Sequence, residues 1–168
     1  MNSMNATASV NMQKIILILF LSFCGLFEVH AISIGVPKGI IENAIVKKFP
    51  FEKYTVTLDQ PVIKFKKELQ KIEICGRWLE KITRNSGDFC LDTQPIWNKS
   101  KGDIEIKNLN VLKFTAKDVG EIPTQINRLL NTSLLTLLDG TPIYHVPDMV
   151  GKLLENVQIE ENSLTLVF

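Results

Sequence analysis

Residues Ile122–Leu138 read IPTQINRLLNTSLLTLL, and the rest of the chain is organised around this stretch. Ile122, Ile126, Leu129, Leu130, Leu134, Leu137 and Leu138 recur at intervals of three and four, the spacing of one helical face. Pro123 suits a first helical turn and Asp139-Gly140 a stop, so the pattern predicts a long amphipathic helix. Its polar side is nearly uncharged: between Pro123 and Leu138 only Arg128 carries charge. Surface helices normally carry more, so the expectation is a helix cradled over most of its circumference.

The segments that would cradle it lie upstream and alternate with period two. In Tyr54–Phe65, YTVTLDQPVIKF, Val56 and Leu58 share one parity and Ile63 and Phe65 the other, with the switch at Asp59-Gln60-Pro61. Such a switch is what a β-bulge produces, and bulges bend sheets. Glu68–Thr83 puts Ile72, Ile74, Trp78 and Ile82 on one parity. Asn85-Ser86-Gly87-Asp88 reads as a hairpin turn, after which Phe89 to Trp97 returns. A turn at Asn98–Asp103 leads into Ile104 and Ile106, and Asn108 breaks parity before Leu109 and Val111. The reading is a four-stranded antiparallel meander of long, bent strands.

Shorter elements flank this unit. Ile40, Ile41, Ala44 and Ile45 mark a short helix within Val36–Lys48, stopped by Pro50. Thr141–Val146 is extended, Asp148 is a candidate cap for a small helix through Leu154, and Val157–Ile159 and Leu164–Phe168 read as strands about Glu161-Asn162-Ser163. The fold class is therefore α+β. The chain has 168 residues, 45% of them hydrophobic, and a net charge of +1. That balance gives no field that would attract nucleic acid or an anionic surface to the chain as a whole.

The N-terminus reads as an address. Ile15–Phe27, IILILFLSFCGLF, is charge-free, follows Lys14, and is shorter than the roughly 20 residues a bilayer span needs. With Val29-His30-Ala31 as a cleavage site, residues 1–31 form a signal peptide and residues 32–168 one exported domain, periplasmic or secreted. Leu21-Ser22-Phe23-Cys24 also matches a lipobox in outline, which would lipidate Cys24 and anchor the protein to a membrane; the bulky Phe23 departs from that pattern.

The order of these pieces resembles the YceB-like family of uncharacterised bacterial envelope lipoproteins. The residues that carry the resemblance are the short helix ending in Lys47-Lys48-Phe49-Pro50, Pro142-Ile143-Tyr144 after the leucine-rich helix, and the closing pattern from Val157 to Phe168. The family is similar in fold to tubular lipid-binding (TULIP) domains, in which a strongly curved antiparallel sheet wraps around a long amphipathic helix and apolar ligands lie between them. The resemblance implies such a fold here and carries no catalytic motif to transfer.

Chemistry-bearing residues are few. Cys75 and Cys90 would be the two cysteines left after export, and an oxidising compartment favours pairing them. A hairpin centred on Ser86-Gly87, however, sets Cys90 opposite Thr83, and the eight-residue offset to Cys75 is about 26 Å, against the 7 Å or so that a bridge tolerates. Disulfide and buried free thiols both remain readings, and this register favours the thiols. His145 would be the only histidine left after export, so it cannot build a zinc site; a Cys–His nucleophilic pair is disfavoured because Cys75 lies in an apolar strand with nothing to lower its pKa. Asp59, Asp88, Asp92 and Asp103 read as solvated turn or strand-face carboxylates, and Lys64, Lys66, Lys67 and Lys71 as a solvated basic face able to touch lipid headgroups.

The expectation is a non-enzyme that needs no cofactor and no metal. It would be an envelope protein holding a lipid or other apolar ligand between helix and sheet, against Ile126, Leu130, Leu134, Leu137, Ile74, Trp78, Ile104 and Ile106. The alternative is a structural or interaction protein of the envelope, whose core its own side chains fill and whose partner is another envelope component.

Overall fold

A computed structural model describes residues 32–117 and 124–168. The proposed signal segment, its cleavage site at Ala31, the lipidation candidate Cys24, and Ile122-Pro123 lie outside the described residues.

The elements run in the order β1 (Ser33–Pro37), α1 (Lys38–Val46), β2 (Phe51–Lys53), β3 (Val56–Lys66), a 3-10 turn (Lys67–Leu69), β4 (Lys71–Glu80), β5 (Ser86–Asn98), β6 (Asp103–Ala116), α2 (Thr124–Leu138), β7 (Pro142–His145), α3 (Asp148–Gly151), β8 (Asn156–Ile159) and β9 (Ser163–Val167). The fold is α+β. Strands β2 to β7 form a six-stranded antiparallel sheet in sequence order, curled into a half-barrel, and β1-β9-β8 form a small second sheet. The expected meander is present, widened at its edges by β2 and β7.

The curl has local causes. The β3–β4 register slips between Asp59 and Val62, where Gln60 has a φ of 50°, and this is the parity switch that the sequence carries. Inward residues are Val56 and Leu58 before the slip and Ile63 after it. The β5–β6 ladder slips twice, at Cys90/Leu91 and at Asp92/Gln94, and Asn108 sits opposite the second slip with a φ of 56°. Each extra residue bends its strand and strengthens the local twist, so the three bulges, one in the β3–β4 ladder and two in the β5–β6 ladder, roll the sheet.

One apolar cluster fills the concave side. Ile72, Ile74, Trp78, Phe89, Leu91, Ile104 and Ile106 of the sheet meet Ile41 and Ile45 of α1 and Ile126, Leu130, Leu134, Leu137 and Leu138 of α2. Val36, Ile159, Leu164 and Leu166 of the small sheet extend it. Helix α2, 15 residues long, packs against β2, β3 and β6. Its opposite side is open: Thr124, Gln125, Asn127, Arg128, Thr132, Leu135 and Thr136 are exposed. The expected enclosure over most of the circumference is therefore corrected: the nearly uncharged polar face is open to solvent.

Gln70 ties the two sheets. Held with a φ of 51° after the 3-10 turn, it donates through Nε2 to the Ile159 carbonyl at 3.0 Å and accepts from the Ile159 N–H at 2.8 Å. One amide side chain thus completes the hydrogen bonding of β8 as a neighbouring strand would.

The turn between β4 and β5 departs from the sequence reading. It occupies residues 81–85, while Ser86, Gly87 and Asp88 belong to β5. The buried carboxylate of Glu80 accepts hydrogen bonds from the N–H groups of Ile82 and Thr83 and from the Thr83 hydroxyl, and the Glu80 N–H meets the Asn85 carbonyl at 2.8 Å. Those bonds centre the hairpin four residues earlier than the Asn-Ser-Gly-Asp signal suggests. Ile82 consequently lies in the turn, 77% exposed, rather than on the core face of β4. Similarly, Asp148 begins α3 without making a side-chain capping bond, and Pro147 is the cap residue.

Candidate functional site

A bulge bends its strand and so changes its path relative to a helix packed against it. Past the slip at Asp92/Gln94, β6 bends, and Leu109 and Val111 are left half-buried beside α2. A groove of about 290 Å³ opens there, lined by Leu91, Leu109, Asn110 and Val111 from the sheet and by Asn131, Leu134 and Leu135 from the helix. Its lining holds five aliphatic side chains, two amides and no charge. The Asn131 amide N–H is already spent within the helix, on the backbone and side-chain oxygens of Asn127, both at 2.9 Å. The volume falls just under the range of ligand pockets, about 300 to 1,000 Å³. Such a groove suits a compact, neutral molecule.

The eight expected wall residues come together, but as packing. Ile126, Leu130, Leu134, Leu137, Ile74, Trp78, Ile104 and Ile106 all belong to the central cluster and are at most 7% exposed. Of these only Leu134 also lines the groove. Leu109 and Val111 were legible as residues displaced by the parity break at Asn108; Leu91, Asn110, Asn131 and Leu135 had no distinguishing signal, because their role depends on where the helix axis leaves the bent ladder.

Cys75 and Cys90 form a disulfide. With the turn at 81–85 they face each other directly across β4 and β5, which corrects the register that put Cys90 opposite Thr83. Both lie half-buried on the outer face of the sheet. Neither sulfur is a thiolate nucleophile in this state, and His145 is engaged elsewhere, its Nδ1 2.8 Å from Asp103 Oδ1. Among the described residues no cluster of three potential metal ligands occurs.

Two further expectations change. Asp92 is not a solvated carboxylate: it is 7% exposed and ion-paired with Lys71 at 2.7 Å. The lysines around it are also committed. Lys64 and Lys66 reach Glu73 at 3.8 and 3.5 Å, and Lys67 pairs with Glu160, so this face is neutralised and offers little to a lipid headgroup. Glu105, buried, carries its own ion pair with Lys101 at 2.8 Å; that contact, an Asn98 hydrogen bond and the more distant Lys107 hold its carboxyl below the usual range.

Neither the known protein-family models nor the curated proteins give a match to this chain.

Proposed function

We propose that this protein is an exported, non-catalytic envelope module that holds one small apolar ligand between α2 and the bulged β5–β6 ladder. The observation that carries the reading is the uncharged groove lined by Leu91, Leu109, Val111, Leu134 and Leu135. Three other features support it. The helix touches strands from both halves of the curled sheet, β2 and β3 on one side and β6 on the other, in the manner of a TULIP-like sheet partly wrapped around its helix. The Cys75–Cys90 bond is of the kind that persists in oxidising compartments, in keeping with a signal peptide over residues 1–31. The order of elements also keeps the likeness to YceB-like envelope lipoproteins; an anchor at Cys24 would hold such a module at a membrane.

A second reading has its own observation. The expected wall residues are packed to near-complete burial, which favours a self-filled core and a structural or interaction role. Native mass spectrometry of protein isolated from its own compartment separates the two. A co-purifying apolar adduct, together with uptake of a neutral fluorescent apolar probe that Leu135→Asp and Val111→Asp abolish, supports the ligand-binding reading. A bare mass and no uptake by the unsubstituted protein supports the self-filled alternative.

A further inference from the structure

A second concavity lies at the end of the sheet, between the β5–β6 turn and α3. It measures about 370 Å³ and is lined by Lys99, Lys101, Asp148, Gly151 and Lys152 around the ring of Trp97. The two loops are tied together: the Val146 N–H donates to the Gly102 carbonyl at 2.9 Å, and Gly151 is seated so closely on the Trp97 indole that a Cβ there would meet the ring at 3.2 Å. The three lysines therefore converge from a braced platform. Asp148 is the acidic counterweight among the lining residues, and Glu105 holds Lys101. Lys99 and Lys152 make no ion pair with any described carboxylate, in contrast to the committed lysines of the β3–β4 face.

Beside this cleft, Met149 and Leu153 project into solvent at 89% and 66% exposure. They are four residues apart, and turn hydrogen bonds from Leu153 to Val150 and from Leu154 to Gly151 continue the helical path of α3 between them. Two exposed apolar side chains do not make the broad patch that a stable protein interface needs. Apolar side chains with lysines beside them suit a bilayer surface, where the former enter the acyl boundary and the latter meet anionic headgroups.

We infer that this tip docks on an anionic lipid bilayer, with a phosphate headgroup in the cleft by Lys99 and Lys152 and with Met149 and Leu153 inserted. The inference stands on different residues from the apolar groove.

The test is co-sedimentation of the full chain with vesicles of phosphatidylcholine alone and of phosphatidylcholine containing one quarter phosphatidylglycerol, at low and high salt. The expected result is preferential binding to the anionic vesicles that weakens with salt. It should fall at least about tenfold in a Lys99→Glu/Lys152→Glu variant and, separately, in a Met149→Asp/Leu153→Asp variant. All four positions are exposed, and unchanged thermal midpoints will show that the variants fold. Any contribution of the apolar N-terminal segment is common to every variant and appears on the neutral vesicles. Equal binding of all variants, or equal binding to neutral and anionic vesicles, overturns the inference. So does binding to polyglutamate that matches the vesicle affinity and ignores Met149→Asp/Leu153→Asp, which would point to an acidic protein partner. Ligand uptake in the groove should be unaffected by these variants, so the two proposals fail separately.

Discussion

Trp78 donates its indole N–H to the backbone carbonyl of Thr115 at 3.0 Å, crossing from β4 to β6 over Gly87 of the strand between them. A Cβ at Gly87 would fall 1.7 Å from the Thr115 oxygen and 2.9 Å from the Trp78 nitrogen. The glycine is thus a clearance residue rather than a turn residue. Gly87→Ala should destabilise the fold by about 3 kcal/mol or more, since the obstruction is backbone as well as side chain. Chemical denaturation checks it, and a shift under about 1 kcal/mol would mean that the crossing is not maintained in solution.

The Cys75–Cys90 bond joins directly opposed residues of one hairpin, closing a loop of 15 residues. In the chain-entropy account such a loop is worth about 3 kcal/mol. A Cys75→Ala/Cys90→Ala variant, and the reduced protein, should each lose stability of that order while keeping the fold, because the flanking ladder from Leu79↔Ser86 to Ile72↔Thr93 is otherwise complete. Thiol titration of the unreduced protein should detect neither cysteine.

Glu80 makes part of the stability pH-dependent. Burial pushes its carboxyl upward, but hydrogen bonds from the Thr83 hydroxyl and N–H, the Thr55 hydroxyl and the Ile82 N–H outweigh this and hold its pKa at about 2. A carboxyl whose folded pKa lies below its unfolded value of about 4.3 stabilises the protein fully above that value, and the contribution is lost as pH falls toward 2. Glu80→Gln should therefore be less stable than the unsubstituted protein by about 2 kcal/mol at pH 7, the scale of hydrogen bonds to a charged group. The gap should close on acidification to pH 2. A gap that stays constant with pH would show that the carboxylate's charge contributes nothing.

Much of this architecture is legible in residue order. The period-two runs locate all four long strands, and the parity switches at Gln60-Pro61 and Asn108 locate two of the bends. What escapes is set by partners remote in sequence. Gly87 reads as a turn because glycine after Asn-Ser usually is one, and only the indole arriving from Trp78 gives it another purpose. Placing the turn there shifts the hairpin register and separates two cysteines that in fact face each other. The local chemistry that overrides the signal is a single carboxylate, Glu80, whose bonds to residues 82 and 83 close the chain sooner. The groove escapes for a related reason. Helical periodicity identifies which residues of α2 face the sheet, while the bend of β6 determines where sheet and helix part.

Gln70 offers a test of how the two sheets are joined. Its side chain both donates to and accepts from Ile159, so Gln70→Ala leaves a strand N–H and carbonyl of β8 without those partners. The loss should be about 1–2 kcal/mol, modest because the site is only part-buried and water replaces some of the bonding. Hydrogen exchange gives the sharper readout: the Ile159 amide should lose protection in the variant, while amides in the β4–β5 ladder keep theirs.

The same reasoning applies to Asn108, where the bend that opens the groove depends on one left-handed residue. Its φ is 56°, and its side-chain amide donates to Gln94 Oε1 at 2.8 Å across the bulge. Asparagine tolerates this conformation, whereas a β-branched residue does not. Asn108→Val should cost about 1–2 kcal/mol in backbone strain, and Asn108→Gly should relieve the strain while losing only the exposed side-chain bond. If the bulge holds β6 away from α2, the valine variant will also lose affinity for a small apolar ligand and the glycine variant will retain it. Equal affinity in both variants would mean that the groove is held open by the helix side chains, and Leu135→Ala would then become the substitution that alters binding.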